Sequence, residues 1–189
     1  MSVLTDKKAR LKNLLLRLSY EQREVVLASG QKSNFYFDGK QTSLHPEGAC
    51  LLGELLYDAV RALPEPIEAV GGPTLGADPL VTAVALVSHQ KNDPIPAFII
   101  RKEPKKHGTG QWLEGIKNLR EGACVAILED VVTSGSSSLE AVAKAREYGL
   151  KVVAVVSIVD RGQGGAQAIL SAGLTFSALF TKDELLAGT

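Results

Sequence analysis

The sequence has few of the residues on which disulfide-rich, membrane-bound or nucleic-acid-binding proteins depend. It has two cysteines among 189 residues, both in apolar contexts, so we expect buried thiols rather than a disulfide, as in a reducing cytoplasm. Lysine plus arginine equals aspartate plus glutamate at 21 each, so no overall field attracts nucleic acid or a membrane surface.

Long apolar runs and processing signals are also missing. No run approaches the roughly 18 residues of a membrane span, and the basic N-terminal segment lacks the apolar core of a signal peptide. The signature GxxxxGK[ST] is absent, which excludes a P-loop. No repeat or low-complexity linker is visible. We therefore expect one α/β domain with a small appendage, too short to include a second barrel domain.

The most informative stretch is a predicted strand followed by a polar loop. The apolar residues 124–128 predict a buried strand that ends in two adjacent carboxylates, Glu129 and Asp130. A loop of hydroxyls follows, then a helix, and residues 152–159 predict a second strand. The loop should therefore lie at the carboxyl end of a strand, where open α/β sheets bind ligands.

The bounds of that helix follow from its flanking residues. Ser137 and Glu140 have the spacing of a capping box, which predicts a helix start at Ser137. Gly149 is the predicted C-cap.

The loop has the chemistry of an anion site. Backbone N–H groups at a helix N-terminus can cradle a phosphate, and Gly135 permits close approach. Carboxylates cannot bind phosphate, so the acidic pair would face sugar hydroxyls, a divalent metal or both. Together these groups suit a phosphorylated ribose, although an ordinary strand end with a capped helix would show the same pattern. The hydroxyl donors are Thr133, Ser134, Ser136 and Ser137.

Residues 127–138 resemble the signature of the type I phosphoribosyltransferases, which bind phosphoribosyl pyrophosphate (PRPP). The resemblance implies an open, mainly parallel sheet with helices on both faces. It also implies a core of about 46–162 under a small hood, formed by about 1–45 and 163–189. In that family the acidic pair lies beside the ribose hydroxyls and the loop takes the 5′-phosphate. The implied PRPP site here comprises Glu129, Asp130, Val131, Val132, Thr133, Ser134, Gly135, Ser136 and Ser137.

A basic run follows the predicted strand 96–100. Its cations alternate with proline and glycine without periodicity, which predicts a mobile loop. Such a run is either a solvated face or a partner for a substrate with three phosphoryl groups. It closely resembles the catalytic loop of the orotate-specific members of the family. That resemblance implies that pyrophosphate is contacted by Arg101, Lys102, Lys105 and His107, of which Lys105 and His107 would be catalytic.

Two further stretches bear on the acceptor base. The aromatic residues 33–38 predict a strand that serves either as a core hairpin or as a platform for a flat heterocycle. Arg161 follows the predicted strand 152–159, where its fork suits a carboxylate, unless it is simply an exposed loop residue. By resemblance, Tyr36 and Phe37 lie near orotate, and Thr133 and Arg161 orient it.

The remaining chain supplies the expected framework. Helices are predicted at 5–18, 46–63 and 79–89, with Asp78 as an N-cap, and strands at 67–71 and 174–179. Residues 111–121 predict a hairpin that returns to the central strand. The loop 72–78 is either a plain βα turn or, by resemblance, a neighbour of pyrophosphate.

The sequence departs from the family's pattern at two positions. Many members have a lysine where Ala28 stands and another within loop 72–78, and neither is present here. Lys32 and Lys40 are the candidates to replace them. The first acidic residue of the signature is Glu129, where aspartate is frequent.

The resemblance implies transfer of the phosphoribosyl group from PRPP to orotate, giving orotidine 5′-phosphate and pyrophosphate. Mg²⁺ would be bound mainly through the substrate pyrophosphate, and Asp130 would face the developing cation of the sugar ring. Two subunits would form a homodimer in which the basic loops reach the neighbouring sites. The alternatives are a phosphoribosyltransferase for another base and a regulator that binds PRPP or a nucleotide without turnover.

Overall fold

A computed structural model describes residues 3–23, 25–26, 32–33, 35–104 and 112–188. Its centre is a six-stranded sheet in the order β10-β9-β8-β5-β6-β7, parallel except that β7 pairs antiparallel with β6. The predicted open, mainly parallel sheet is confirmed. The sheet consists of β5 (Ala69–Pro73), β6 (Ala97–Ile100), β7 (Leu113–Glu114), β8 (Cys124–Val132), β9 (Lys151–Asp160) and β10 (Thr175–Thr181).

Alternating side chains of the central strand β8 enter two separate cores, because successive residues of a strand face opposite sides. Val125 and Ile127 pack in one core, whereas Ala126 and Leu128 pack in the other. All four are fully buried. The first core contains the buried residues of α5 (Ser136–Glu147) and α6 (Gly165–Ser171), and the second those of α1 (Val3–Leu18), α3 (Pro46–Arg61) and α4 (Asp78–Gln90).

The predicted helices are present with small shifts at their ends. Helix α3 ends at Arg61, before the proline-rich turn, and Gly149 takes the left-handed φ of +96° just beyond α5. The expected N-cap at Asp78 is wrong, because Ala77 occupies the cap. The Asp78 carboxylate instead accepts a hydrogen bond of 2.7 Å from the Thr74 hydroxyl, which braces the preceding turn.

The N-terminal segment lies against α3 and carries four very short strands. The single strand predicted at 33–38 is wrong, since β3 and β4 pair antiparallel with different partners, β2 and β1. Phe35 lies in neither strand; its buried ring packs against those of Tyr20 and Phe37, with centroids 5.2 and 6.0 Å away. The segment contains β1 (Tyr20–Glu21), β2 (Val25–Val26), β3 (Lys32–Ser33), β4 (Tyr36–Phe37) and the short helix α2 (Lys40–Ser43).

The C-terminal part of the chain differs from the expected hood. Strand β10 pairs with β9 in the main sheet, and its Phe180 is buried in the second core, so assigning all of 163–189 to a hood is wrong. Helix α7 (Lys182–Leu186) contacts α1 of the N-terminal segment, and the Lys8 ammonium lies 5.0 Å from the ring centroid of Phe180 in β10. There the Lys12 ammonium donates hydrogen bonds of 2.7 Å to the carbonyls of Glu184 and Ala187.

The predicted hairpin at 111–121 is present only in part. Strand β7 pairs with the end of β6, and a short 3₁₀ turn (Ile116–Asn118) follows before β8. Within the described residues, no helix combines the length and apolarity needed to cross a membrane.

Candidate active site

The two carboxylates lie inside β8 rather than at its end, where the sequence predicted them, because the strand continues to Val132. Pairing with β9 continues from Glu129 opposite Ser157 to Val132 opposite Asp160. This pairing extends the strand four residues past the apolar run. Because neighbouring side chains of a strand face opposite sides, Glu129 and Asp130 acquire different surroundings.

Glu129 faces helix α5 and is only 5% exposed. Its Oε2 accepts hydrogen bonds from the hydroxyls of Ser137 (3.1 Å) and Ser138 (3.3 Å). Burial, and then the neighbouring Asp130 charge, raise the pKa of Glu129 to about 8. The carboxyl is therefore largely protonated at neutral pH, and it can donate a hydrogen bond as well as accept one.

The Ser137–Glu129 bond also explains why the predicted capping box is wrong. Helix α5 begins at Ser136, its N-cap is Gly135, and no side chain caps it. The Ser137 hydroxyl points back to the strand instead. The Ser136 N–H makes a long contact of 3.5 Å to the Ser134 hydroxyl oxygen. The other N–H groups in the first turn of α5 can bind a ligand, since no side chain caps the helix.

Asp130 faces the opposite side of the sheet, where two glycines allow backbone to approach it. A Cβ atom on Gly76 would lie 2.7 Å from its Oδ1, and one on Gly39 would lie 3.0 Å from its Cβ. The Val131 N–H donates a hydrogen bond of 2.9 Å to Oδ1. Burial raises the pKa of Asp130, and the positive charge of Lys40 opposes that rise.

The hydroxyl loop is held by a second chain segment that the sequence analysis missed. The Gly165 N–H donates to the Thr133 carbonyl at 3.0 Å, and a Cβ at Gly165 would lie 3.0 Å from the Gly135 nitrogen. Gly135 itself has φ +81°. The paired glycines at 164–165, so soon after the β9 strand end, were the available signal. Ser134 and Ser136 are exposed, with their hydroxyl oxygens 2.9 Å apart.

A cavity of about 490 Å³ lies beside the acidic pair. Five of the predicted site residues line it: Arg101, Lys102, Glu129, Asp130 and Ser137. The other loop residues, 131–136, adjoin the cavity in the chain without lining it. Loop 72–78, expected by resemblance to lie near pyrophosphate, contributes Pro73, Thr74, Leu75 and Gly76 to the lining, and the cavity also includes Lys40. Sequence analysis missed Ile100, Glu140, Ala141 and Lys144, which lie on a strand end and on a helix face.

Of the predicted base-binding residues, Arg161 at the end of β9 contacts the N-terminal segment at Phe35, next to Tyr36 in the chain. The Arg161 Nη2 donates to the Phe35 carbonyl at 3.0 Å, and its guanidinium lies 5.0 Å from the Phe35 ring centroid. Tyr36 is covered by the Arg23 guanidinium, 3.8 Å from its ring centroid. A Cβ atom added at Gly39 would lie 3.5 Å from the Phe37 ring and 3.0 Å from the Asp130 Cβ. The Phe37 ring therefore lies on the Asp130 side of the site. Burial lowers the pKa of Arg161.

The basic run is described only at its start. Arg101 pairs with Glu114 across the β6–β7 hairpin, with Nη1 3.0 Å from Oε1, and Lys102 is exposed at the cavity. The predicted catalytic residues Lys105 and His107 lie outside the described residues, as does Ala28.

A protein-only metal site is not visible in the described part of the chain. No group of three or more acidic, histidine or cysteine side chains there could hold an ion. The adjacent carboxyls at Glu129 and Asp130 are nevertheless oxygen donors of the kind that Mg²⁺ accepts. These residues therefore fit an ion that brings most of its ligands with a bound phosphate compound.

Comparison with known proteins identifies close relatives. No family model matches the chain. A curated orotate phosphoribosyltransferase from Nostoc sp. is 52% identical over 176 residues, covering 93% of this chain and 84% of the relative. The crystal structure of Mycobacterium tuberculosis H37Rv orotate phosphoribosyltransferase with Fe(III) dicitrate has a TM-score of 0.82 at 36% identity, covering 95% of this chain and 99% of that one. The PRPP complex of the same enzyme gives 0.77 at 34% identity, with coverages of 95% and 98%.

The shared sheet, with its acidic pair and hydroxyl loop at the end of β8, is the type I phosphoribosyltransferase fold. Identity of 52% over nearly the whole chain narrows the assignment further. The chain belongs to the orotate phosphoribosyltransferase family.

Proposed function

We propose that this chain, as a single domain, transfers the phosphoribosyl group from PRPP to orotate. The products are orotidine 5′-phosphate and pyrophosphate, a step of UMP synthesis de novo in the cytoplasm. The observation that carries the proposal is the Ser137–Glu129 hydrogen bond, which couples the acidic pair to an uncapped helix N-terminus. An anion site and a polyol site then lie side by side, as a phosphorylated ribose requires. The relative crystallised with PRPP supports this substrate.

Phosphoribosyl transfer at the anomeric carbon requires charged groups positioned around the reacting atoms rather than a protein nucleophile. The bond to pyrophosphate breaks as the orotate nitrogen bonds to the same carbon, so positive charge develops on the sugar ring. The ionised form of Asp130 would stabilise that charge. Glu129, largely protonated at neutral pH, would hold a ribose hydroxyl. Thr133–Ser137 would bind the 5′-phosphate, next to Val131 and Val132 at the end of β8.

Orotate would lie at the end of β9, beneath the N-terminal segment. Arg161, which the Phe35 carbonyl orients, would bind the orotate carboxylate through its guanidinium fork. Thr133 and the backbone at Tyr36 and Phe37 would fix the heterocycle. These contacts would select orotate over bases that lack a carboxylate.

Mg²⁺ on the pyrophosphate would supply the charge that the carboxyl pair cannot, and the pair fits an ion bound mainly through the substrate. Arg101 and Lys102 would contact pyrophosphate at the cavity mouth. Lys105 and His107 would stabilise or protonate the leaving group, from the loop of a neighbouring subunit in a homodimer.

An assay of base consumption tests the proposal directly. Purified protein with PRPP and Mg²⁺ is supplied separately with orotate, adenine, hypoxanthine and uracil, and the loss of each base is followed by absorbance. We expect orotate consumption that requires both PRPP and Mg²⁺. Turnover of another base with none of orotate would overturn the base assignment. PRPP binding without any turnover would indicate a regulator.

A further inference from the structure

Lys40 is the cation that the N-terminal segment contributes to the cavity. It is the first residue of α2, directly after Gly39, whose backbone packs against Asp130. Its side chain lines the same cavity as Asp130 and Gly76. The ammonium is therefore held on the Asp130 side of the sheet.

Asp38 fixes this placement. Its Oδ1 forms an ion pair with the Lys40 ammonium and accepts a hydrogen bond of 3.2 Å from the Lys40 N–H. The Gln41 amide donates to Oδ2 at 3.2 Å. The Asp38 hydrogen bond raises the pKa of Lys40, so the ammonium stays charged.

Other cations of the cavity have different partners and positions. The Lys144 ammonium lies 2.6 Å from a Glu140 carboxylate oxygen and 4.1 Å from the Trp112 ring centroid, on the α5 side. Arg101 is paired with Glu114. Lys102 is exposed at the mouth of the cavity, whereas the charge of Lys40 opposes the rise in the pKa of the Asp130 carboxyl.

Position on the sheet decides which part of the substrate Lys40 meets. The hydroxyl loop leads into α5, whose Ser137 contacts Glu129 on one face. Lys40 and Gly76 approach Asp130 from the opposite face. If the loop takes the 5′-phosphate, the second anionic group of PRPP, the diphosphate, falls to the Lys40 side. Resting on the proposed function, we infer that Lys40 binds the diphosphate of PRPP and that Asp38 is its positioning residue.

Binding of three probes tests this inference without relying on turnover. Calorimetry with MgCl₂ present compares PRPP, inorganic pyrophosphate and ribose 5-phosphate for the wild type and Lys40→Gln. We expect Lys40→Gln to weaken the binding of PRPP and of pyrophosphate by about tenfold or more, because a charge-assisted contact is lost. Ribose 5-phosphate, which lacks the diphosphate, should bind as before.

Conservative and control variants separate charge from structure. Lys40→Arg retains the charge and should stay within about threefold of the wild type. Asp38→Asn retains the Lys40 side chain but removes the carboxylate charge that positions it. This variant should show an intermediate loss of affinity for PRPP and pyrophosphate and none for ribose 5-phosphate. Lys151→Gln is the matched control, since that lysine is also ion-paired, to Glu65 at 2.7 Å, and does not line the cavity. Its affinities should equal those of the wild type.

Each outcome decides the inference. Unchanged pyrophosphate and PRPP affinities in Lys40→Gln would overturn it, as would an equal loss for ribose 5-phosphate. Wild-type protein that binds PRPP but consumes no orotate would refute the proposed function, while the Lys40 comparison would still be decided by affinity. Wild-type protein that binds neither PRPP nor pyrophosphate would overturn both.

Discussion

The Ser137 hydroxyl donates a hydrogen bond to the Glu129 carboxyl over 3.1 Å. This bond joins the first turn of α5 to the strand that precedes it, across the hydroxyl loop. It also takes from Ser137 the capping role that its sequence spacing predicted. The helix start is less stable without a side-chain cap, by about 1 kcal/mol.

Glu129 should make the stability of the unliganded protein fall as pH rises. Its pKa is about 8 in the folded chain against an ordinary 4.5, so the folded state retains a proton that the unfolded chain releases. The stabilisation is fully present below about pH 4.5 and is lost as pH rises toward 8. Urea unfolding at several pH values should show a loss on the order of 5 kcal/mol between about pH 4.5 and pH 8 that is absent in Glu129→Gln.

The control for that measurement is Glu147→Gln, which changes an exposed glutamate of the same helix that Glu129 contacts. It should leave the wild-type pH dependence in place. A Glu129→Gln protein with the same slope as the wild type would show that Glu129 is ionised in the folded state.

Asp130→Asn should reduce the turnover number for orotate about a hundredfold. The substitution preserves shape and removes the charge that faces the developing cation, and such electrostatic contacts are typically worth about 3 kcal/mol. Steady-state rates at saturating PRPP measure the effect, and Asp58→Asn on the outer part of α3 serves as the control. An unchanged turnover number would remove Asp130 from the mechanism.

Gly76→Ala should impair activity through Asp130 while the protein remains folded. The new Cβ would lie 2.7 Å from the Asp130 Oδ1, so the carboxylate must move. Gly39→Ala, whose Cβ would lie 3.0 Å from the Asp130 Cβ, should impair activity less. Orotate turnover and thermal unfolding are measured for the wild type, Gly76→Ala and Gly39→Ala, and these measurements check the expected order of activity. Equal activity in all three would mean that the position of Asp130 is not critical.

Arg161→Ala should raise the KM for orotate about a hundredfold and that for PRPP far less, since a charged pair to the orotate carboxylate is removed. Arg161→Lys should restore little, because lysine lacks the planar fork. Arg146→Ala is the matched control, since that arginine also donates to a backbone carbonyl, that of Val152 at 3.2 Å. Parallel increases in both KM values would argue against a role in orotate recognition.

Mixing two inactive variants should restore activity if active sites are shared between subunits. Lys105→Ala lacks the loop cation, and Arg161→Ala cannot orient orotate. In a mixed dimer one site has both defects and the other has neither, so random exchange makes about a quarter of all sites wild type. Orotate consumption is measured after subunit exchange has been verified independently. Activity at the level of the separate variants would show that each loop serves its own subunit.

The strand, loop, helix and second strand from β8 to β9 could be predicted from local signals, because each of these signals depends on only a few neighbouring residues. Apolar runs located β8 and β9, and Gly149 marked the end of α5. Contacts between distant segments were not predictable in that way. The extension of β8 through Asp130 depends on pairing with β9, and the support of Thr133 by Gly165 depends on a turn 32 residues later.

The same distinction explains the errors at Ser137 and in the C-terminal segment. Ser137 has the correct spacing for a cap, but a buried carboxyl competes for its hydroxyl. The strand at β10 was expected from its apolar residues, yet only pairing with β9 places it in the sheet. Lys40 is an intermediate case, since it was a candidate by charge and its place depends on Gly39 packing against Asp130.

The division of the acidic pair between the two faces of β8 has an evolutionary consequence. Glu129 is contacted by α5, whereas Asp130 is contacted by the N-terminal segment and the turn before α4. The two halves of the site therefore rest on different, separately packed layers. Substitutions in the N-terminal layer can therefore change the surroundings of Asp130 without disturbing the contact between Glu129 and α5. The two halves of the site can in this way vary separately.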